Sequence, residues 1–504
     1  MYIALAVLFA LLVALVVYDL TQRKHAILRN FPVIGHLRYL LEAIGPELRQ
    51  YIVTDNDEER PFSRDQRRWV YASAKRQNNY FGFGTDNEVE SAPNYLIIKH
   101  AAFPYAPANG AHDADTLACA KTLGAARRRK HAFRPASVVS VSAMSYGSLS
   151  DAAVEAINRG CALADALHNT GEGGIAPHHD HGGGLIWQLG TGYFGARDPA
   201  TGRFDLARFA DNVAQHQVRA IEVKLSQGAK PGKGGILPRA KVTPEISAIR
   251  GVLPGQDCVS PPAHSAFRDV DSLLDFVEQL ADTTGLPIGI KSAVGEQSFW
   301  TELADQMGQR GRGVDFIAID GGEGGTGAAP LVFSDHVALP AKLAISRVVR
   351  TFAERGLHED VVFVGSGKLG YPQEALLAFG LGCDMIGVAR EAMLAIGCIQ
   401  AQRCHSGHCP TGVATQNRWL IRGLDPTDKA TRLANYLAVL RKEMRWLSHA
   451  CGVAHPALLT LDHFEILDDR FGSQSAREVF GYAEGWGLPS AADRAAVTAA
   501  DPTG

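Results

Sequence analysis

Residues 314–330, VDFIAIDGGEGGTGAAP, pass from a β-branched and aromatic run directly into a loop with five glycines in seven residues. A short apolar run that stops at Asp320 reads as a buried strand, and the glycines behind it read as a backbone that must approach something closely. The pattern of a short apolar run followed by small or polar residues recurs on both sides. VVSVSAMS (138–145), ADALHNT (164–170), RAIEVKLS (219–226), DCVSP (257–261), LPIGIKSA (286–293), VVFVGSG (361–367) and MIGVAR (385–390) complete eight candidate strands, separated by helical stretches. That alternation predicts an α/β fold with a parallel sheet, and eight strands suit a (β/α)8 TIM barrel. No repeat of 20–50 residues is visible, which argues against solenoids and propellers.

In such a barrel the active site lies at the C-terminal ends of the strands. Lys291 ends one strand, where a charge either faces the barrel mouth or is buried at high cost. The loops after the last two strands hold Gly365, Ser366 and Gly367, then Gly387, Ala389 and Arg390. Small residues there let backbone N–H groups reach a phosphate, and a following helix N-terminus favours its charge; tight turns are the plainer explanation. KLSQGAKPGKGGILPRAKV (224–242) sets Gln227, Lys230, Lys233, Arg239 and Lys241 in a Gly/Pro-rich loop, a basic cluster suited to a dicarboxylate. HHDHGGG (178–184) adds three closely spaced histidines with nothing nearby to complete a metal ligand set.

The loop CIQAQRCHSGHCPTGVATQ (398–416) presents Cys398, Cys404 and Cys409 at C-x5-C-x4-C spacing. Three thiolates on one loop suit an iron–sulfur cluster. Zinc with His405 or His408 as fourth ligand, and inert reduced thiols, are the alternatives. The other cysteines, Cys119, Cys161, Cys258, Cys383 and Cys451, are scattered singly, which is not a secreted disulfide framework. With 50 basic against 53 acidic residues in 504, the net charge of -3 gives no general reason to expect nucleic-acid binding.

Residues 1–18, MYIALAVLFALLVALVVY, carry no charge and as a helix reach ~27 Å, just enough for a bilayer core. Arg23, Lys24, His25 and Arg29 follow, which predicts a single-pass anchor with the remainder in the cytoplasm. A cleaved signal peptide and a buried core helix compete with this reading, but a charged n-region is missing and no A-x-A-like site follows. The expected organisation is an anchor (1–22), a collar and N-terminal extension (23–135), the barrel with its cysteine loop (136–425) and a helical tail (426–504). The RRRKH run (127–131) reads as a solvated face, or else as a lipid or partner contact.

SAMSYGSLS (142–150), NTGEGG (169–174), the 224–242 loop, GGEGGTGAAP (321–330) and the cysteine loop occur in the order found in the synthase domain of glutamate synthase, which this chain resembles over roughly 140–420. The resemblance implies an FMN-dependent, aldolase-type barrel with a 3Fe-4S cluster on Cys398, Cys404 and Cys409. It implies FMN contacts from Ser142, Ala143, Met144, Ser145, Lys291, Asp320, Gly324, Gly325, Thr326, Gly327 and the two phosphate loops. Lys291 would sit at the N1–C2 carbonyl edge of the flavin, and Glu172 would transfer protons or gate the substrate channel. Lys224, Gln227 and Lys230, and less closely Arg239, would bind 2-oxoglutarate and its imine with ammonia. An electron-donor protein or a quinone-linked partner would supply electrons. No amidotransferase domain precedes the barrel, so glutamine hydrolysis is not expected of this chain alone. The alternatives are a membrane-linked FMN/iron–sulfur oxidoreductase of another amine or imino acid, and a non-enzymatic iron–sulfur redox sensor.

Overall fold

A computed structural model describes residues 2–22, 24–54, 56–90, 92–107 and 115–500, apart from the Arg310 side chain; Arg23 therefore lies outside the described residues. The chain divides into two compact units, Met1–Arg67 and Arg68–Gly504.

The second unit is built on a closed barrel of eight parallel strands. In chain order they are β1 (Val139–Val141), β2 (His168–Asn169), β3 (Leu185–Leu189), β4 (Val218–Lys224), β5 (Ile288–Ala293), β6 (Phe316–Asp320), β7 (Val362–Ser366) and β8 (Met385–Val388). β8 pairs back onto β1 and closes the ring. Seven of the eight expected runs contribute a strand, and the fourth is corrected. Cys258–Val259 of DCVSP pairs antiparallel with Ile236–Leu237 in a separate ribbon within the long β4–β5 connection. The barrel strand missing from the reading is LIWQL (185–189), buried at every position as a strand of a covered parallel sheet is.

Helices cover the strands from outside, and their ends are set by local chemistry. Ser150 Oγ accepts the Ala153 N–H at 3.2 Å to start Asp151–Leu163. Gly285, at φ 70°, ends Val270–Thr284 in the left-handed conformation. Between β2 and β3 a 3₁₀ turn, Pro177–His179, stands in the helix's place.

The barrel interior is layered. Its floor is apolar: Ile186, Ala220, Phe316, Val362 and Met385 pack with Cys119 and Leu123 from the N-terminal extension. A Cβ on Gly289 would lie 2.4 Å from the Phe316 ring, so this glycine makes room for the phenyl group. The layer above is polar and buried, with Glu222 accepting from Asn169 Nδ2 at 2.8 Å and from Gln188 Nε2 at 2.6 Å. Charge appears towards the mouth, where Lys224 and Asp320 end their strands and Lys291 lies two residues before the end of its own, an end that falls later than the sequence reading places it.

The RRRKH run is only in part the solvated face expected of it. Arg129 is buried in ion pairs with Glu278 (2.6 Å) and Asp315 (2.9 Å), and Asp315 also accepts the Ile288 N–H at 2.8 Å. The sequence pattern could not reveal this, because both acids arrive from distant elements. Arg128, Lys130 and His131 do stay exposed.

The long helix Pro426–Ala450 packs on Asp151–Leu163. Leu96–Ile98 of the extension pairs with Phe464–Leu467, which pairs in turn with Ser473–Ser475, so the two flanking segments share one antiparallel sheet. The first unit begins with the apolar helix Tyr2–Thr21, the one helix among the described residues long and apolar enough to cross a membrane. Ala26–Asn30 and Gly35–Leu48 follow it.

Candidate active site

The register of β4 and β5 sets Lys224 beside Lys291, two ammonium groups on neighbouring strands at the barrel mouth. Each is answered by a carboxylate, one from the loop after β2 and one from the end of β6. Lys224 Nζ lies 3.1 Å from Glu172 Oε1. Lys291 Nζ is looser, 3.4 Å from Ser142 Oγ and 3.7 Å from Asp320 Oδ1, both longer than a charge-assisted hydrogen bond. Asp320 Oδ2 accepts the Gly228 N–H at 2.8 Å, tying the β6 end to the loop after β4. A Cβ on Gly228 would fall 1.8 Å from Gly321 O, so the two loops meet backbone to backbone.

Glu172, Lys224, Gln227, Lys230 and Lys233 line a cleft of roughly 310 Å3, part of it open solvent, together with Thr191 and Pro261. Burial alone would push the Glu172 pKa up, but Lys224, Lys230 and Arg250 together outweigh it and hold the carboxyl below its usual range. Burial pulls the Lys230 pKa down, against the attraction of Glu172. Lys224 Nζ also donates to Gln227 Oε1 at 2.5 Å, and Lys230 Nζ donates to Gly234 O at 3.2 Å. His264 supports this wall from behind, with Nε2 2.8 Å from Lys224 O and Nδ1 3.0 Å from the Tyr193 hydroxyl. Burial pushes its pKa down to about 4, and the partners then assign the proton to Nε2. Arg239 stands apart: it is exposed, and its backbone N–H donates to Asp257. The basic cluster read from the sequence is thus split, because the ribbon at Ile236–Leu237 carries Arg239 away.

At the ends of β7 and β8, Gly365, Ser366, Gly387 and Ala389 are small, and Gly367 adopts φ 142°. Gly365 has a packing reason of its own, since a Cβ there would lie 2.9 Å from Cys383 Sγ. Arg390 Nη2 donates to Glu323 O, and Arg390 Nη1 lies 3.2 Å from where a Gly325 Cβ would sit. Glu323 turns its carboxylate onto the Ala341 N–H at 2.9 Å, at the start of the helix Ala341–Ala353. Gly324, Gly325, Thr326 and Gly327 continue this loop outward, with Gly325, Thr326 and Gly327 exposed.

The loop ends against the cysteine segment. A Gly327 Cβ would lie 2.9 Å from the Cys404 carbonyl carbon, and Lys241 Nζ donates to Cys404 O at 2.9 Å. Cys398 Sγ accepts the Gln400 N–H at 3.4 Å, and the Cys398 carbonyl accepts from the Tyr71 hydroxyl at 2.8 Å. Gln400 and Gln402 both take positive φ (57° and 54°), which side chains rarely adopt and which bends the loop between the first two cysteines. Burial would raise the Cys409 pKa, but N–H groups of Ala414, Thr411 and Val413 and the Thr411 hydroxyl overcome it and favour the thiolate. Burial, reinforced by Cys409, raises that of Cys404. His405 and His408 are exposed. The three histidines of HHDHGGG diverge: His178 faces Glu245, His179 is buried and accepts the Ala176 N–H, and His181 faces Glu155.

Sequence reasoning missed Glu222, Gln188, Glu323, His264 and Tyr193. Only Glu323 carried a signal, as the single acid in a glycine run.

The sequence profile described as "Conserved region in glutamate synthase" matches residues 114–454. The glutamate synthase large subunit-like protein YerD of Bacillus subtilis is 37% identical over 486 residues, 88% of this chain and 90% of that protein. The archaeal glutamate synthase (NADPH) of Methanocaldococcus jannaschii is 34% identical over 321 residues, 62% of this chain and 59% of that protein. The archaeal-type glutamate synthase (NADPH) of Thermotoga neapolitana is 33% identical over 318 residues, again 59% of that protein, so this chain spans about three fifths of both. A family match over most of the chain, and a relative matched along nearly its whole length, place this protein in the glutamate synthase family of oxidoreductases.

Proposed function

We propose that the chain reductively aminates 2-oxoglutarate, through 2-iminoglutarate, to L-glutamate, with FMN at the barrel mouth and a 3Fe-4S cluster on the cysteine loop. The observation that carries this reading is the cleft in which Lys224, Gln227 and Lys230 stand beside Glu172, one strand from Lys291. The residues present fit FMN. Lys291 is buried and among the described residues has only long contacts, so its charge has capacity for an anionic ring edge. Ser142, Gly365, Ser366, Gly367, Gly387 and Ala389 leave a mouth free of bulk, and Arg390 stands beside it. The donor set also fits a cluster: three thiols on one loop, one of them favoured as thiolate by backbone N–H groups, with Lys241 close to two. Bound FMN supplies hydride, and a bound cluster one-electron steps.

The remaining work falls to the chain. Lys224 and Lys230 meet carboxylates of the oxo acid, and Gln227 presents an amide to its carbonyl end. Glu172, kept ionised, holds Lys224 in place and can accept or return a proton as water leaves and the amine forms. The overall change takes up one ammonia, two electrons and two protons and releases one water. By this reading Tyr2–Thr21 anchors the protein in the membrane, and Arg23, Lys24 and Arg29 keep the barrel cytoplasmic.

The decisive experiment is anaerobic reduction of the purified protein, then mixing with a panel of 2-oxo acids with and without ammonium. Reoxidation that yields L-glutamate only when 2-oxoglutarate and ammonium are both present is expected. A second reading keeps both cofactors and changes the substrate to another imino acid. It draws on the exposure of Arg239, which leaves the cleft without a guanidinium fork. Faster reoxidation by a monocarboxylic oxo acid would decide for it, and protein purified with iron but no flavin would decide for a redox sensor.

A further inference from the structure

The helix Gly35–Leu48 is amphipathic, and its apolar side is bare. Leu37, Leu40, Leu41, Ile44 and Leu48 are each between 40% and 56% exposed, Ile34 before them 75%, and Ile52 after them 71%. At 3.6 residues per turn the five side chains of the helix itself fall within an arc of about 100°. Arg38 and Arg49 flank one edge of that arc, and both are exposed. Arg38 pairs with Glu42 at 2.7 Å on the polar side.

The start of this helix is fastened to the end of the apolar helix Tyr2–Thr21. Asp19, in the last turn of that helix, is fully buried. Its Oδ2 accepts the Val33 N–H at 2.9 Å, and its Oδ1 meets His36 Nε2 at 2.9 Å. If Tyr2–Thr21 spans the bilayer, the clamp holds Gly35–Leu48 at the depth where hydrocarbon gives way to headgroups. An amphipathic helix at that depth buries its apolar face in the acyl boundary, and flanking arginines reach lipid phosphates.

We propose that Gly35–Leu48 is an in-plane membrane helix, laid on the bilayer surface by the Asp19 clamp, and that its partner is lipid. The proposal rests on the reading of Tyr2–Thr21 as a membrane span. Its 14 residues, about 21 Å long, would hold the chain leaving the span flat against the cytoplasmic leaflet before the second unit begins.

The test uses the full chain in vesicles of phosphatidylethanolamine and phosphatidylglycerol. Benzoylphenylalanine replaces Leu41, Ile44, Glu42 or Leu11 singly, all exposed positions, and photoproducts are resolved by mass. Lipid adducts from positions 11, 41 and 44, several-fold above position 42, are the expected result. Adducts at 11 with none at 41 and 44, or with equal yield at 42, would overturn the in-plane helix and leave the span standing. Crosslinked dimers from 41 and 44 would assign the face to a second copy and overturn it as well. Absence of lipid adducts at 11 would remove the span, and the proposal with it.

Discussion

Lys291 and Lys230 are both buried lysines near the same mouth, yet they lead to different measurements. Among the described residues Lys291 Nζ has only long contacts, to Ser142 and Asp320, so its charge is available to whatever negative charge develops beside it. Replacing Lys291 by Met is expected to lower the two-electron potential of the bound flavin by tens of millivolts, about 30 mV for each 1.4 kcal/mol of lost charge stabilisation. Lys291→Arg, which keeps the charge, should restore most of it; spectroelectrochemical titration reads both. Lys230 is held below the usual lysine range by burial, so in the folded protein it sheds its proton at lower pH than a free lysine. KM for a dicarboxylate should therefore rise on the alkaline side before an ordinary lysine, with its pKa of about 10.4, would titrate. Lys230→Arg should move that limb to higher pH. Residues of this kind stand out in the sequence as candidates because a lysine late in an apolar run, or three cysteines on one loop, interrupts its surroundings. Glu222 and Gln188 do not, since nothing local distinguishes a carboxylate satisfied by side chains of neighbouring strands.

Among the elements, helix Asp151–Leu163 and helix Pro426–Ala450 are in close contact at Gly160. A Cβ there would lie 2.8 Å from Leu433 Cβ and 2.9 Å from Ala430 O. Gly160→Ala should destabilise by about 1–3 kcal/mol through overpacking. Gly308, in helix Ser298–Arg310, has only Leu357 Cδ1 near, at 3.9 Å. Gly308→Ala should stabilise by roughly 0.5–1 kcal/mol through helix propensity. Urea unfolding of the two variants in parallel tests the opposite signs, and two shifts of one sign would refute the contact geometry. The barrel was readable from its long strands, such as Phe316–Asp320 and Ile288–Ala293, where apolar runs end in charge. It was not fully readable from the short ones. His168–Asn169 contributes two residues, too few for any period, and LIWQL lies beyond three glycines that read as loop. DCVSP had the composition of a strand but pairs in a solvent-facing ribbon, with Val259 largely exposed.

For the whole molecule, the proposed readings of the apolar helix and of the clamped helix behind it would divide membrane attachment between a span and a surface contact. Removing residues 1–22 is expected to convert a protein that only detergent extracts into one that alkaline carbonate releases, because an interfacial helix alone binds reversibly. The released protein should keep its flavin, as the barrel's floor and mouth are built from residues beyond 115. Fractionation followed by absorption spectra checks both parts. The sheet shared by Leu96–Ile98 and Phe464–Leu467 also bears on how the chain is made. Its first strand leaves the ribosome some 370 residues before its partner, a wait of roughly 20–70 s at about 5–20 residues per second. Throughout that interval Leu96–Ile98 is an unsatisfied edge, open to pairing with another nascent chain on the same messenger. Completion of this sheet therefore comes after closure of the barrel, whose last strand ends at Val388, and a chain stalled between the two would carry a closed barrel and an open edge.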